Sequence, residues 1–168
     1  MQQAKQSVYL KLWILLFCGL LASCGFHVRG VANLSFKTIF VQGSTLSISK
    51  ELKQSLKTNE IKVVNQVEDA QLLLELLNER SEKRILSLSG GGVVREYELN
   101  YSVSFRTRDP ASEIWSAPQT IQSRRDFSYN DNALLGKQDE ENRLNEDMQK
   151  DAVREMLRRL SAIKVKPQ

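Results

Sequence analysis

Glu96-Tyr97-Glu98-Leu99-Asn100-Tyr101-Ser102-Val103-Ser104-Phe105-Arg106 is the stretch on which the fold turns. Tyr97, Leu99, Tyr101, Val103 and Phe105 share one parity; Glu96, Glu98, Asn100, Ser102, Ser104 and Arg106 share the other. Successive side chains of an extended chain point to opposite faces. Strict alternation over this length therefore marks an antiparallel strand with one face on a core and one toward water. Just upstream, Gly90-Gly91-Gly92 can supply the positive φ of a hairpin turn. Before it, the run Leu72 to Leu77 could be helix or buried strand. Its continuation decides: Leu77, Glu79, Ser81, Lys83 and Ile85 alternate with Asn78, Arg80, Glu82 and Arg84 and form no helical stripe. Residues 70–89 thus read as one long strand whose end, with the turn, projects past the helices. Downstream, Asp109-Pro110-Ala111-Ser112 is a turn, and 114–129 reads as a further strand with Ile121, Phe127 and Tyr129 in phase.

The two ends of the domain follow from the same patterning. Residues 35–41, rich in β-branched and aromatic side chains, read as a strand broken by Gly43-Ser44. Ile48, Leu52 and Leu56 predict an amphipathic helix over 45–58, with Ser44 or Ser47 as N-cap and Asn59 at its stop; a short strand follows at 61–64. Strand, helix and strand over about 30 residues form a βαβ-like unit, which makes the first two strands parallel. From Lys137 the period becomes 3.6: Leu144, Met148, Ala152, Met156, Leu157 and Leu160 line one stripe of a helix of about 25 residues. The element order reads β-α-β-β-β, or with one more strand β-α-β-β-β-β, and ends in α. The fold predicted for residues 35–168 is an α+β two-layer sandwich. Its two helices pack on one face of a mostly antiparallel four-stranded sheet whose first two strands are parallel.

Composition bounds the function. The chain has 168 residues, 41% of them apolar, with 24 Lys+Arg against 20 Asp+Glu and a net charge of +4. That is one ordinary globular domain. One His and no cysteine cluster argue against a His- or thiolate-held structural metal. An excess of four charges is too weak a field for a nucleic-acid binder. At the N-terminus, Lys5 and Lys11 precede the apolar run Leu12 to Ala22, which is too short to span a bilayer. With the small residues that follow, residues 1–23 read as a signal peptide. Leu21-Ala22-Ser23-Cys24 fits the lipobox pattern, in which the cysteine becomes the lipidated first residue, an S-diacylglycerol cysteine that is also N-palmitoylated. The alternative is an ordinary secretory signal with Cys24 near its cleavage site by chance. Residues 24–34 then form a lipidated tether, and three chains on Cys24 exceed the two that stable anchoring needs. Gly25, in place of an Asp, suits lipoprotein sorting to the periplasmic side of the outer membrane.

No catalytic constellation emerges. His27 lies three residues from the anchor, and Asp139-Glu140-Glu141 suits the first turns of a helix, where acids interact favourably with the dipole. Gly90–Gly92 lacks the Lys-Ser/Thr and the helix of a phosphate loop. From Arg80 to Arg125 eight basic residues face five acids. Such a sheet could receive an anionic phosphorylated glycolipid, its cations on phosphate and its aromatics on acyl chains. The residues alone favour a solvated face whose charges guard against edge pairing.

Cys24-Gly25-Phe26-His27-Val28-Arg29-Gly30 resembles the mature N-terminus of the LptE family of LPS-assembly lipoproteins. The similarity resumes at Arg95-Glu96-Tyr97-Glu98-Leu99, at Arg125-Asp126-Phe127-Ser128-Tyr129, and at Ala133-Leu134-Leu135-Gly136-Lys137 with Glu146-Asp147-Met148. The resemblance implies a non-enzymatic outer-membrane lipoprotein without a cofactor. Its partners would be the LptD β-barrel, which it plugs and helps to assemble, lipopolysaccharide, and the membrane that holds its anchor. In the family, basic residues at the hairpin and near the start of the last helix are tied to LPS. Lys137 matches the second; the hairpin tip here is glycine, so Arg95 and Arg84 are the nearest candidates for the first. A barrel lumen is polar and wet, which the row from Glu96 to Ser104 suits. The rivals are another lipid-anchored envelope adaptor, in barrel or cell-wall assembly, that binds no LPS, and a secreted LPS-binding or LPS-modifying enzyme.

Overall fold

The computed structural model describes residues 34–130 and 134–164. The predicted signal peptide, Cys24, His27 and all of the predicted tether but Leu34 lie outside the described residues. Leu34 itself is buried in the core, so the folded body reaches one residue into the predicted tether.

The elements are β1 (Thr38–Gly43), α1 (Ser49–Thr58), β2 (Lys62–Val64), β3 (Leu72–Leu88), β4 (Val94–Arg108), β5 (Gln119–Ser128) and α2 (Leu134–Ser161), with a 3-10 turn at Val67–Asp69. They build one sheet in the order β2-β1-β3-β4-β5. The four-stranded expectation is corrected to five. The short β2 does pair with β1, in parallel, through Thr38↔Lys62, Ile39↔Val63 and Phe40↔Val64. β1 is also parallel to β3, while β3–β4 and β4–β5 are antiparallel, so the sheet is mixed. The N-terminal strand lies inside the sheet because both edges of its backbone find parallel partners.

The core lies between the sheet and the two helices. From the sheet come Ile39, Leu72, Leu74, Leu76, Leu99, Tyr101, Val103, Phe105, Ile121 and Phe127, all buried. Ile48, Leu52 and Leu56 cover them at α1, and Met148, Ala152, Val153, Met156, Leu157 and Leu160 at α2. The predicted N-cap is displaced. Ile48 holds the cap position of α1, and no side chain caps it. Ser47 is drawn instead to Glu79, which accepts from its backbone N–H at 2.7 Å and its hydroxyl at 2.6 Å.

One irregularity reorganises the long strand. β3 pairs Leu76 with Phe105 and then Asn78 with Ser104, leaving Leu77 as the extra residue of a bulge. Core-facing parity therefore switches from Leu72, Leu74 and Leu76 to Glu79, Ser81, Lys83 and Ile85. Gly43 lies against this point. Its φ is +101°, and a Cβ there would sit 2.2 Å from the Leu76 carbonyl oxygen. No other residue fits. At the hairpin tip Gly92 alone of the three glycines uses a positive φ, 79°.

Candidate functional site

Beyond the bulge the β3 row that faces the helix turns polar, while Tyr101 and Leu99 of β4 beside it stay buried. Glu79 accepts from the Tyr101 hydroxyl at 2.7 Å, and burial pushes that phenol far above its ordinary pKa, helped by the Glu79 carboxylate. Farther out, Lys83 pairs with Glu141 of α2 at 2.5 Å. Its ammonium also lies over the Tyr97 ring, 4.2 Å from the centroid, and 5.6 Å from that of Phe127. The alternation of β4 and β5 stacks these rings: Tyr97 and Phe127 are cross-strand partners with centroids 5.8 Å apart, and Tyr129 meets Tyr97 edge-on at 5.0 Å. Lys137, on the first turn of α2, donates to the Ser128 hydroxyl at 3.2 Å and pairs with Glu140 at 2.7 Å. Lys83, Tyr129, Lys137, Gln138, Glu141 and Asn142 line a cleft of about 380 Å³. Two ammonium groups lining one cleft, Lys83 over the aromatic shelf and Lys137 beside it, each held by one acid, can accept a phosphate in exchange for those acids.

Among the described residues no helix covers the opposite face of the sheet. Glu98 is buried there beneath long cationic side chains, paired with Arg84 at 2.5 Å and Arg124 at 3.1 Å, and accepts from Asn100 at 2.7 Å. The Asn100 hydrogen bond first, and then Arg84, hold its carboxyl below the usual carboxylate range; partial desolvation opposes them. Arg80, Arg84, Asn100, Ser102, Gln122 and Arg124 line a shallow depression of about 750 Å³. Its charges are balanced, with Glu82 on Arg80 and Asp126 near Arg124. The face is wet and evenly mixed in sign.

The predicted site residues therefore do not converge. Lys137 lies on the helix side and Arg84 on the open face, separated by the sheet. Arg95 is the extra residue of a second bulge, between the pairs Ser87↔Glu96 and Leu88↔Val94, and is exposed. Among the described residues no carboxylate pairs with it. Lys83 is the member that sequence reasoning missed, although its shared parity with Tyr97 was available as a signal. Among the described residues no cluster of three or more His, Cys, Asp or Glu could hold a metal, and no helix is long and apolar enough to cross a membrane.

The fold is thus an α+β sandwich with a lysine- and aromatic-lined cleft on one side of its sheet and a charge-balanced field on the other. Solved structures carry the same architecture. The chain is 39% identical to uncharacterized lipoprotein B of Nitrosomonas europaea, at a TM-score of 0.71 over 82% of this chain and 91% of that one. It is 28% identical to rare lipoprotein B of Shewanella oneidensis, at a TM-score of 0.66 over 74% and 94%. Among curated proteins it is 24% identical over 148 residues to the LPS-assembly lipoprotein LptE of Photorhabdus laumondii, covering 84% of this chain and 79% of the relative. The family model described as LptE, lipopolysaccharide-assembly, matches residues 36–160. The chain belongs to the LptE family.

Proposed function

We propose that the chain is lipidated on Cys24 and held at the periplasmic side of the outer membrane. There it complexes with the LptD β-barrel, plugs it, assists its assembly and binds LPS on the way to the outer leaflet. The observation that carries the plug is the open sheet face. A sheet surface left without helices yet rich in balanced charge suits a water-lined lumen and not lipid, which would demand an apolar surface. LPS binding is drawn to the cleft of Lys83 and Lys137, whose acids yield to phosphate while the aromatic shelf takes apolar surface beside it. Arg95, free of carboxylates among the described residues, adds a cation at the hairpin, and Arg84 a second one from the far side.

Affinity purification from detergent tests both parts. The native chain is expected to bring down one large barrel together with LPS. A Lys83→Ala/Lys137→Ala variant is expected to bring down the barrel at the native level with at least tenfold less LPS, the loss expected of two charge-assisted contacts of about 1.5–3 kcal/mol each. Absence of a barrel from the native preparation would refute the complex. A lipid-anchored adaptor without LPS binding is the second reading, favoured by the internal pairing of Lys83, Lys137 and Arg84; a native preparation that brings down the barrel without LPS would favour it, and unchanged LPS in the double variant would refute the Lys83–Lys137 cleft as the site.

A further inference from the structure

The hairpin joining β3 to β4 is uncharged from Ile85 to Val94, ten successive positions in a chain that is 26% charged. It also carries most of the large exposed aliphatics of the described residues: Ile85 is 54% exposed, Leu86 44%, Leu88 56% and Val93 54%. A hairpin that ends in water ordinarily ends in polar side chains, and clustered exposed aliphatics mark a contact surface. The polar groups the tip does possess are turned inward. The Ser87 hydroxyl donates to Glu96 at 2.7 Å, the Ser89 hydroxyl accepts from the Val93 N–H at 3.1 Å, and the Ser89 carbonyl accepts from Gly92 at 2.9 Å. Apart from the backbone of the glycine turn, what remains to meet a partner is hydrocarbon.

The cations stand immediately behind it. Arg84 precedes the uncharged run and Arg95 ends it, and the bulges at Leu86 and Arg95 break the regular pleat there. Ile85 pairs with Tyr97, the ring on which Lys83 rests, and Lys137 reaches Ser128 one strand away. Hydrocarbon at the end and a collar of arginine and lysine one or two positions back have the polarity of an anionic amphiphile in mirror image: acyl chains outermost, phosphate behind. A lumen wall of polar side chains matches only the collar. From Leu77 onward β3 runs beyond the last residue of β1 with about 40 Å of strand, at roughly 3.3 Å per residue, which carries this tip clear of the main core.

We propose that the 85–94 hairpin is an acyl-chain contact: Leu86, Leu88 and Val93 lie against the fatty acyl chains of the phosphorylated glycolipid whose phosphate the basic collar receives. This rests on the LPS-binding reading above and adds to it the subsite for the apolar half of the ligand. Binding of the full chain to two probes tests it: intact LPS, and the same LPS after mild alkali has removed its ester-linked chains. The native chain is expected to bind intact LPS about tenfold or more tightly, the preference expected from burying even a few CH₂ groups. Leu86→Ser/Leu88→Ser/Val93→Ser is expected to bind both probes alike, at the weaker level, with an unchanged circular dichroism spectrum, since the tip makes no contribution to the core cluster. A native chain that binds both forms equally, or a triple variant that keeps the preference, overturns the acyl-chain contact and leaves LPS binding standing. Loss of barrel copurification in the triple variant with the acyl preference intact assigns the tip to protein and overturns it too. A native chain that binds neither probe refutes LPS binding itself, and the acyl contact with it.

Discussion

The two halves of β3 and β4 belong to the same hairpin and are stabilised by different means. In the near half, Leu72, Leu74, Leu76, Val103 and Phe105 are sealed beneath both helices. In the far half, the corresponding row is Glu79, Ser81 and Lys83, met by polar residues of α2: Asn145 at 3.4 Å from the Ser81 hydroxyl, and Glu141 on Lys83. Apolar burial is non-directional and strong, whereas ion pairs at partly exposed sites contribute about 0–1 kcal/mol each. On β3 the strong burial therefore ends at the bulge, while on β4 it continues through Tyr101 and Leu99, and only the outer end of the hairpin is left with charges and apolar surface for partners.

The sharpest test of that contrast is a pair of truncations. Phe105→Ala is expected to destabilise the domain by about 3–5 kcal/mol, because it removes a fully buried ring and leaves a cavity. Leu88→Ala should cost less than about 0.5 kcal/mol, the usual effect of an exposed substitution. Urea unfolding of both reads the difference, and equal losses would break the comparison. At the junction of the halves, Gly43→Ala forces a Cβ against the Leu76 carbonyl and a strained φ, for an expected loss of about 2–3 kcal/mol in the same assay. The loss should fall on the pairing of β1 with β3, read by amide exchange at Leu74 and Leu76.

Acid titration gives the smallest effect and separates surface from core. Glu155, on α2 of the near half, is pulled down to about 2 by hydrogen bonds from Arg158 and then Arg159. A depressed carboxyl contributes stability that is present above its unfolded value of 4.5 and is lost as pH falls toward 2. Arg158 is largely exposed, so solvent screening keeps the contribution below about 1 kcal/mol. Glu155→Gln should flatten the stability profile across that window and lower stability at neutral pH by up to about 1 kcal/mol, with no loss near pH 2. A slope equal to the native one would place the acid sensitivity elsewhere, with Glu98 of the open face, also depressed, the next to test.

How much of this the sequence carried depends on where one looks. The alternation around Tyr97 to Phe105 and the stripe from Leu144 to Leu160 are set by burial on one face, and burial leaves a period in the sequence; both elements lie where they were expected. The bulge at Leu77 leaves no such mark. It depends on Gly43, more than thirty residues earlier, passing within a carbonyl's reach, and a contact so distant in sequence has no periodicity. Missing it assigns Leu77 the parity of Glu79 and hides that Lys83 shares a cleft with Lys137. The same kind of distance displaced the helix cap, since Glu79 competes for Ser47. The short strand at 61–64 and its parallel pairing with β1 were expected and are present, and only the count of four strands fell short. Arg84 and Arg95, chosen for proximity to the turn, were separated from Lys137 by strand parity and by a second bulge.

The bond from the Ser35 hydroxyl to the Ile163 carbonyl, at 2.6 Å, ties the first described residues to the last ones beyond α2. Because the lid of the core is its C-terminal helix, a nascent or truncated product ending before Leu134 has its strands but leaves Val103, Phe105, Ile121 and Phe127 without their cover. Such a fragment is sticky and open to proteases. The sheet can therefore hide these side chains only after α2 has emerged and docked.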